Sequence, residues 1–260
     1  MNVNIRLYGA ITAIGLLMLL FSQCINDPAI NDARQNGYAG SEACISCHQA
    51  LSDSFFHTAH YNTSSMADGR TVAGNFSKDS NLYQYTPSVK VMMENEDNTF
   101  YQVSYNNGQL VEKHSFDIVV GSGRKAQTYL YWMNDKVYQL PVSWYVPAGK
   151  WANSPNFPAQ QARFDRNIPI GCFECHSSYV KRKKVEDQNG FRVDHYDRNT
   201  LVTGIDCERC HGPSAQHAGY HQEHPDEKEA RFLVPYRQLE RQQQLDVCGV
   251  CHSGIRDHQR

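Results

Sequence analysis

The sequence predicts an α+β chain, mostly helical and loop-rich, with an antiparallel β insert. Three observations predict it. First, Cys-x-x-Cys-His occurs four times, starting at Cys44, Cys172, Cys207 and Cys248, and successive starts lie 128, 35 and 41 residues apart. The last three copies crowd together and leave room between them for little more than short helices and loops. Second, residues 83–151, inside the long interval, are rich in aromatic and β-branched side chains, which suit a pleated, half-buried surface. Third, residues 236–247 follow Pro235 and combine Leu239 and Leu245 with charged and Gln residues of good helix propensity. This helix leads into the fourth motif.

Element by element, the chain begins with Arg6, a mostly apolar stretch at 7–21, and then Ser22-Gln23-Cys24. A basic start, an apolar middle and a small-residue boundary have the order of an export signal. The apolar stretch is shorter than the roughly 20 residues of a spanning helix. Cys24 resembles the lipidated cysteine of a bacterial lipoprotein, although Phe21 and Gln23 depart from the usual Leu and small residue. Residues 1–23 are thus read as a signal peptide. Residues 24–37, polar and containing Pro28, are read as a tether.

Residues 38–82 form a first motif segment, in which 50–60 suits a helix. Residues 83–170 are the β-rich insert. Within it, 99–105 places Tyr101, Val103 and Tyr105 on one face. Asn106-Asn107-Gly108 is a hairpin turn, with 109–116 as the return strand. Segments 89–93 and 127–133 are further strands, and Asn134-Asp135 turns the chain into a strand over 136–145. Residues 171–260 carry the remaining three motifs. The run Lys181-Arg182-Lys183-Lys184 reads as a solvated loop.

Cys-x-x-Cys-His is the attachment sequence of c-type haem: two thiols add across the haem vinyl groups and the histidine ligates the iron. The four copies use eight of the nine cysteines. The predicted attachment residues are Cys44 and Cys47, Cys172 and Cys175, Cys207 and Cys210, and Cys248 and Cys251. The predicted proximal ligands are His48, His176, His211 and His252, which makes four covalently bound haem c groups. Paired Cys-x-x-Cys sequences also bind zinc or iron–sulfur clusters, or form disulfides. None of those chemistries requires His after every second Cys. Export agrees with this reading, because haem attachment in bacteria belongs to the oxidising side of the membrane.

The second axial position decides what each iron can do. A second strong ligand makes an electron-transfer centre, whereas an open position permits small-molecule binding or chemistry. Eight further histidines are available, at 57, 60, 114, 195, 217, 221, 224 and 258. His217 is the leading candidate, six residues beyond His211, with Gly212 and Pro213 turning the chain between them. It is expected to serve a neighbouring haem rather than the one held by His211. His60 follows, sharing a face with His57 if that segment is helical. His57, His221 and His224 rank lower. Met66 is a possible sulfur ligand, in a polar setting that suits a loop equally well.

Several stretches resemble one family. Gly204-Ile205-Asp206-Cys207-Glu208-Arg209-Cys210-His211-Gly212-Pro213, followed by His217, is similar to a signature of multihaem cytochromes related to the tetrahaem electron carrier of ammonia-oxidising bacteria. Residues 38–60 resemble the first haem segment of that group. Residues 120–130 and 139–144 resemble the insert of relatives that carry tetratricopeptide repeats. The resemblance covers nearly all of 38–252. It implies electron transfer through closely packed haems, mostly with two histidine ligands, and supports His217 and His60 as distal ligands. The sequence ends eight residues after His252 without such repeats, so the distal ligand there is the least defined.

Composition sets limits. A net charge of -2 gives no electrostatic footprint for nucleic acid. A hydrophobic content of 40% and a mean hydropathy of -0.60 are modest, which haem groups in the interior would offset. The expected partners are redox proteins, and a membrane through the lipid anchor; no nucleic acid is expected. The expected role is electron transfer at the periplasmic or outer cell-envelope surface. The competing role is an oxidoreductase acting on a small nitrogen or sulfur compound at one open haem. No catalytic constellation is evident, and a sensor role is disfavoured because no signalling domain is present.

Overall fold

The computed structural model describes residues 32–253 except 35, 36 and 189. Strand dominates. The chain is 37% strand and 25% helix, which corrects the expectation of a mostly helical protein. Two short helices, α1 (Ser41–Ile45) and α2 (Gln49–Phe55), come first, followed by a single 3-10 turn at Tyr61–Thr63. Eleven strands follow: β1 (Ser64–Met66), β2 (Leu82–Gln84), β3 (Val89–Glu96), β4 (Thr99–Asn106), β5 (Gln109–Ser115), β6 (Ile118–Val120), β7 (Ala126–Met133), β8 (Lys136–Gln139), β9 (Val142–Tyr145), β10 (Lys150–Asn153) and β11 (Arg166–Asn167). Helix α3 (Ile170–His176) runs directly into a long hairpin, β12 (Ser177–Gln188) and β13 (Phe191–Thr203). Helices α4 (Cys207–His211), α5 (Ala215–Glu223) and α6 (Arg241–His252) complete the described chain.

Strands β2 to β5 form a four-stranded antiparallel meander. A seven-stranded sheet runs β1-β6-β7-β8-β11, with β9 pairing β7 and β10 pairing β9. The expected Asn107-Gly108 turn is present, with both residues at positive φ, as the tight turn between twisted strands requires. The expected strand over 136–145 is divided at Leu140-Pro141. Proline has no N–H to give the ladder, so β8 pairs one end of β7 and β9 pairs the other.

The seven-stranded sheet is buried on both faces, because successive side chains of a strand point to opposite sides. Val119, Tyr129, Tyr131 and Leu140 join Val91, Met93 and Phe100 of the meander in an aromatic-rich core. Trp151 caps this core and lies so close to Gly74 that a Cβ there would meet its ring at 2.1 Å. Ile118, Leu130 and Val137 face the other way, against Ile168, Phe173, Val180 and Tyr196. That second core ties the sheet to α3 and to the long hairpin.

The hairpin is the largest departure from the sequence reading, which placed helices and loops across 171–260. The basic run at 181–184 lies on β12 rather than in a loop. The hairpin is held by His195, whose side chain is 5% exposed. Its Nδ1 lies 2.8 Å from Asp135 Oδ1, and its Nε2 approaches Glu186 Oε2 at 3.0 Å without hydrogen-bond alignment. Among the described residues no helix is long and apolar enough to cross a membrane. Residues 1–31, including the apolar stretch and Cys24, lie outside the described part.

Candidate haem-binding centre

All four motifs sit on helical turns. Cys172, Cys175 and His176 lie on α3, Cys207, Cys210 and His211 on α4, and Cys248, Cys251 and His252 at the end of α6. Cys44 lies on α1, and the backbone N–H of His48 bonds back to the Cys44 carbonyl at 2.9 Å. On a helical turn, residues i, i+3 and i+4 share one face. Each motif therefore directs two thiols and one imidazole to the same side, which is the donor set a covalently attached haem needs. Local sequence explains these turns. Asp206 caps α4 by accepting from Arg209 N at 2.9 Å, and Glu240 with Gln243 forms a capping box on α6.

The fold brings the motifs together in a definite spatial order. The first helix, which carries Cys44, packs against α4, which carries Cys207. Contact with Cys207 pushes the Cys44 thiol up, while Cys207 is lowered to about 7. Cys175 lies against Cys251, with its Sγ 3.9 Å from the Cys251 carbonyl oxygen. Cys251 Sγ in turn lies 3.7 Å from the Glu174 carbonyl oxygen. Burial and then the nearby Cys248 push the Cys210 thiol up, and Val247, next to Cys248, lines the same cavity as Cys210. In space the motifs thus neighbour one another in the order first, third, fourth, second. Among the described residues no three His, Cys, Asp or Glu side chains form a ready metal-ligand set.

Two histidine pairs stand out. His48 and His217 face each other with ring centroids 6.3 Å apart and planes 11° from parallel. His60 and His252 are 6.2 Å apart at 85°. Two imidazoles bonded to opposite sides of one metal ion, with nitrogen–metal distances of about 2 Å, have centroids roughly 6 Å apart. Both centroid separations match that spacing. His217 Nδ1 is hydrogen-bonded to the Arg231 carbonyl at 2.8 Å, and His176 Nδ1 to Thr63 Oγ1 at 2.9 Å. Such bonds fix the ring and leave Nε2 as the ligating atom. Beside His211 and Cys210 lies a cavity of about 610 Å³ lined by Phe232, Val234, Leu239 and Val247. Its apolar walls and flanking thiol and imidazole suit a macrocycle.

Other candidates fall elsewhere. His57 and His60 lie beyond the end of α2, not on a shared helical face. The carbonyl of His57 accepts from Arg124. His221 packs on His217 at 4.7 Å, and His224 on Tyr220 at 4.4 Å. His114 stacks on Tyr131 in the sheet, and His195 anchors the hairpin. Met66 lies on β1 opposite Ile118 and is half exposed. His258 and Cys24 lie outside the described residues.

Two supporting clusters were not anticipated. Gly204 has φ +67°, and a Cβ there would meet the Tyr61 carbonyl oxygen at 2.1 Å. Its N–H donates to Ser64 Oγ at 2.9 Å, Ser178 Oγ donates to its carbonyl at 2.8 Å, and Ile205 N donates to the His60 carbonyl at 3.0 Å. Ser64 Oγ also donates to the His176 carbonyl. This knot docks the approach to the third motif onto the segment carrying His60.

The second cluster is ionic and buried. Arg34 Nη2 lies 2.8 Å from Asp32, 2.7 Å from Asp206 and 2.9 Å from Glu208, with all four side chains at most 6% exposed. Glu208 also accepts from the backbone N–H groups of Ala39, Gly40 and Ser214, each at 2.9 Å. Burial works against the Arg34 charge, yet the Asp32 and Asp206 carboxylates hold its pKa above the usual value. Part of the segment read as a tether is thereby locked to the third motif. Only the placement of Asp206 and Glu208 on either side of Cys207 could have signalled it.

Residues 151–212, which span the second and third motifs, match the family model described as cytochrome c554 and c-prime. No curated protein matches the chain. Among solved structures, the crystal structure of the outer cell wall cytochrome OcwA aligns with 82% of this chain at 19% identity and a TM-score of 0.47. This chain spans 37% of that protein's length. The motif geometry and the matched segment support a c-type cytochrome that binds haem c covalently.

Proposed function

We propose that this chain is a tetrahaem electron relay, exported to the cell envelope and tethered there through Cys24. The observation that carries the proposal is the pairing of His48 with His217 and of His60 with His252 at separations suited to one iron each. Iron closed on both faces by imidazole would supply reversible one-electron exchange between ferric and ferrous states. What the chain itself contributes is proximity and rigidity. Cys44 against Cys207, Cys210 near Cys248 and Cys251 against Cys175 would hold successive groups in near contact. The Gly204 knot and the Glu208 network fix those approaches without a flexible linker.

In this reading His217 and His60 are the distal ligands, paired with His48 and His252. Redox proteins would be the partners, meeting the relay at its ends. The test is spectroscopic. Purified protein should show at least two low-spin, bis-histidine haems that do not bind carbon monoxide. A preparation in which every haem is high-spin and binds carbon monoxide contradicts the proposal.

A second reading, chemistry on a small nitrogen or sulfur compound at one open iron, is favoured by one observation. Among the described residues, no imidazole is paired with His211 at the separation seen for His48 with His217 and His60 with His252. A single high-spin haem that binds nitric oxide or hydroxylamine in the same experiment would support it.

A further inference from the structure

The buried ionic cluster around Arg34 does more than join two segments. It places three carboxylates, Asp32, Asp206 and Glu208, against a single guanidinium. Asp206 and Glu208 flank Cys207 in sequence, and the helix that carries Cys44 packs against the one that carries Cys207. An excess of negative charge is thus built into a water-poor region between the first and third motifs. Charge in such a region is screened far less than on the surface. Arg209, inside the third motif, points away from that cluster: its Nη2 donates to the Glu174 carbonyl at 2.7 Å, which sets its positive charge between the third motif and the second, next to Cys251.

We propose that the Arg34–Asp32–Asp206–Glu208 cluster holds the first and third haem sites at lower reduction potential than the second and fourth, and so gives the relay a direction. The inference rests on the tetrahaem reading. Ferric iron carries one more positive charge than ferrous iron, so nearby carboxylates favour the oxidised form. Electrons then run downhill from the Cys44–Cys207 end to the Cys175–Cys251 end. One electron moves per step, from a donor redox protein at the first end to an acceptor at the second. Asp32, Arg34, Asp206 and Glu208 act as positioning and tuning residues, since none of them ligates iron.

Two substitutions separate charge from structure. Asp206→Asn removes one negative charge and Arg34→Gln removes the positive one, while both break the same ion pair. Potentiometric titration of the haem-loaded variants, followed optically and by electron paramagnetic resonance, reads the result. Asp206→Asn is expected to raise two of the four potentials by about tenfold in the one-electron equilibrium, roughly 59 mV. Arg34→Gln is expected to lower the same two by a similar factor, with the other two held within about threefold. Shifts of the same sign in both variants, equal shifts of all four potentials, or no shift at all would overturn the inference while leaving the relay reading intact. A wild-type preparation with fewer than four haems would instead overturn the relay reading, and this inference with it.

Discussion

In the proposed relay, His217 and His60 are the single side chains that would close two of the irons. Each sits opposite a motif histidine, His48 and His252 respectively, and the ring of His217 is fixed through Nδ1 by the Arg231 carbonyl. Replacing His217 by Ala is expected to convert one low-spin haem to a high-spin form that binds carbon monoxide, leaving haem content unchanged. His60→Ala should do the same at a different haem, and the double variant should show two such sites. An unchanged low-spin spectrum in either single variant would remove that histidine from the ligand set. Gly204 acts through the backbone. Its positive φ and the Tyr61 carbonyl oxygen 2.1 Å from a would-be Cβ leave no room for a side chain. Gly204→Ala should destabilise the fold by more than about 1 kcal/mol in denaturant unfolding, and unfolding at the wild-type midpoint would contradict the knot described around it.

At the scale of elements, the β12–β13 hairpin is the part whose anchoring is electrostatic as well as apolar. Val180 and Tyr196 bury against the sheet, while His195 bridges Asp135 and Glu186. Lys184, and after it His195, hold the Glu186 carboxyl at about 2, below its ordinary 4.5. His195 likewise lowers Asp135. A depressed carboxylate contributes stability that is present above its unfolded pKa and lost as pH falls through the folded one. Hydrogen exchange across 177–203 should therefore accelerate as pH is taken from about 4.5 towards 2, after correction for intrinsic exchange. Protection unchanged over that window would show that the apolar contacts hold the hairpin alone. This hairpin was also the least legible element. Asn189-Gly190 is a strong hairpin signal, and Gly190 does adopt positive φ, but the run of cationic residues before it reads as solvated loop. What fixes the strand is the pairing across to β13 and burial of Val193, Asp194, His195 and Tyr196, neither of which β12 encodes by itself. By contrast the 99–115 hairpin was legible, because its alternation and its Asn107-Gly108 turn are both local.

Across the described residues the molecule is a sheet scaffold that carries the Cys-x-x-Cys-His turns, rather than a helical protein with a sheet inserted. The seven-stranded sheet buries both faces, one under the meander and one under α3 and the hairpin. Phe173, inside the second motif, belongs to that second core, so the sheet positions that motif's turn directly. The motif turns were legible because each Cys-x-x-Cys-His run is local, and the structure places each on a helical turn. The Arg34 cluster was not, since Asp32 and Arg34 meet Asp206 and Glu208 only through long-range folding. Intact-mass spectrometry of the purified, haem-loaded protein counts the covalent haems on one chain. The expected mass is that of the processed polypeptide plus four haem groups, retained after denaturation. A mass corresponding to three or fewer would contradict the tetrahaem relay.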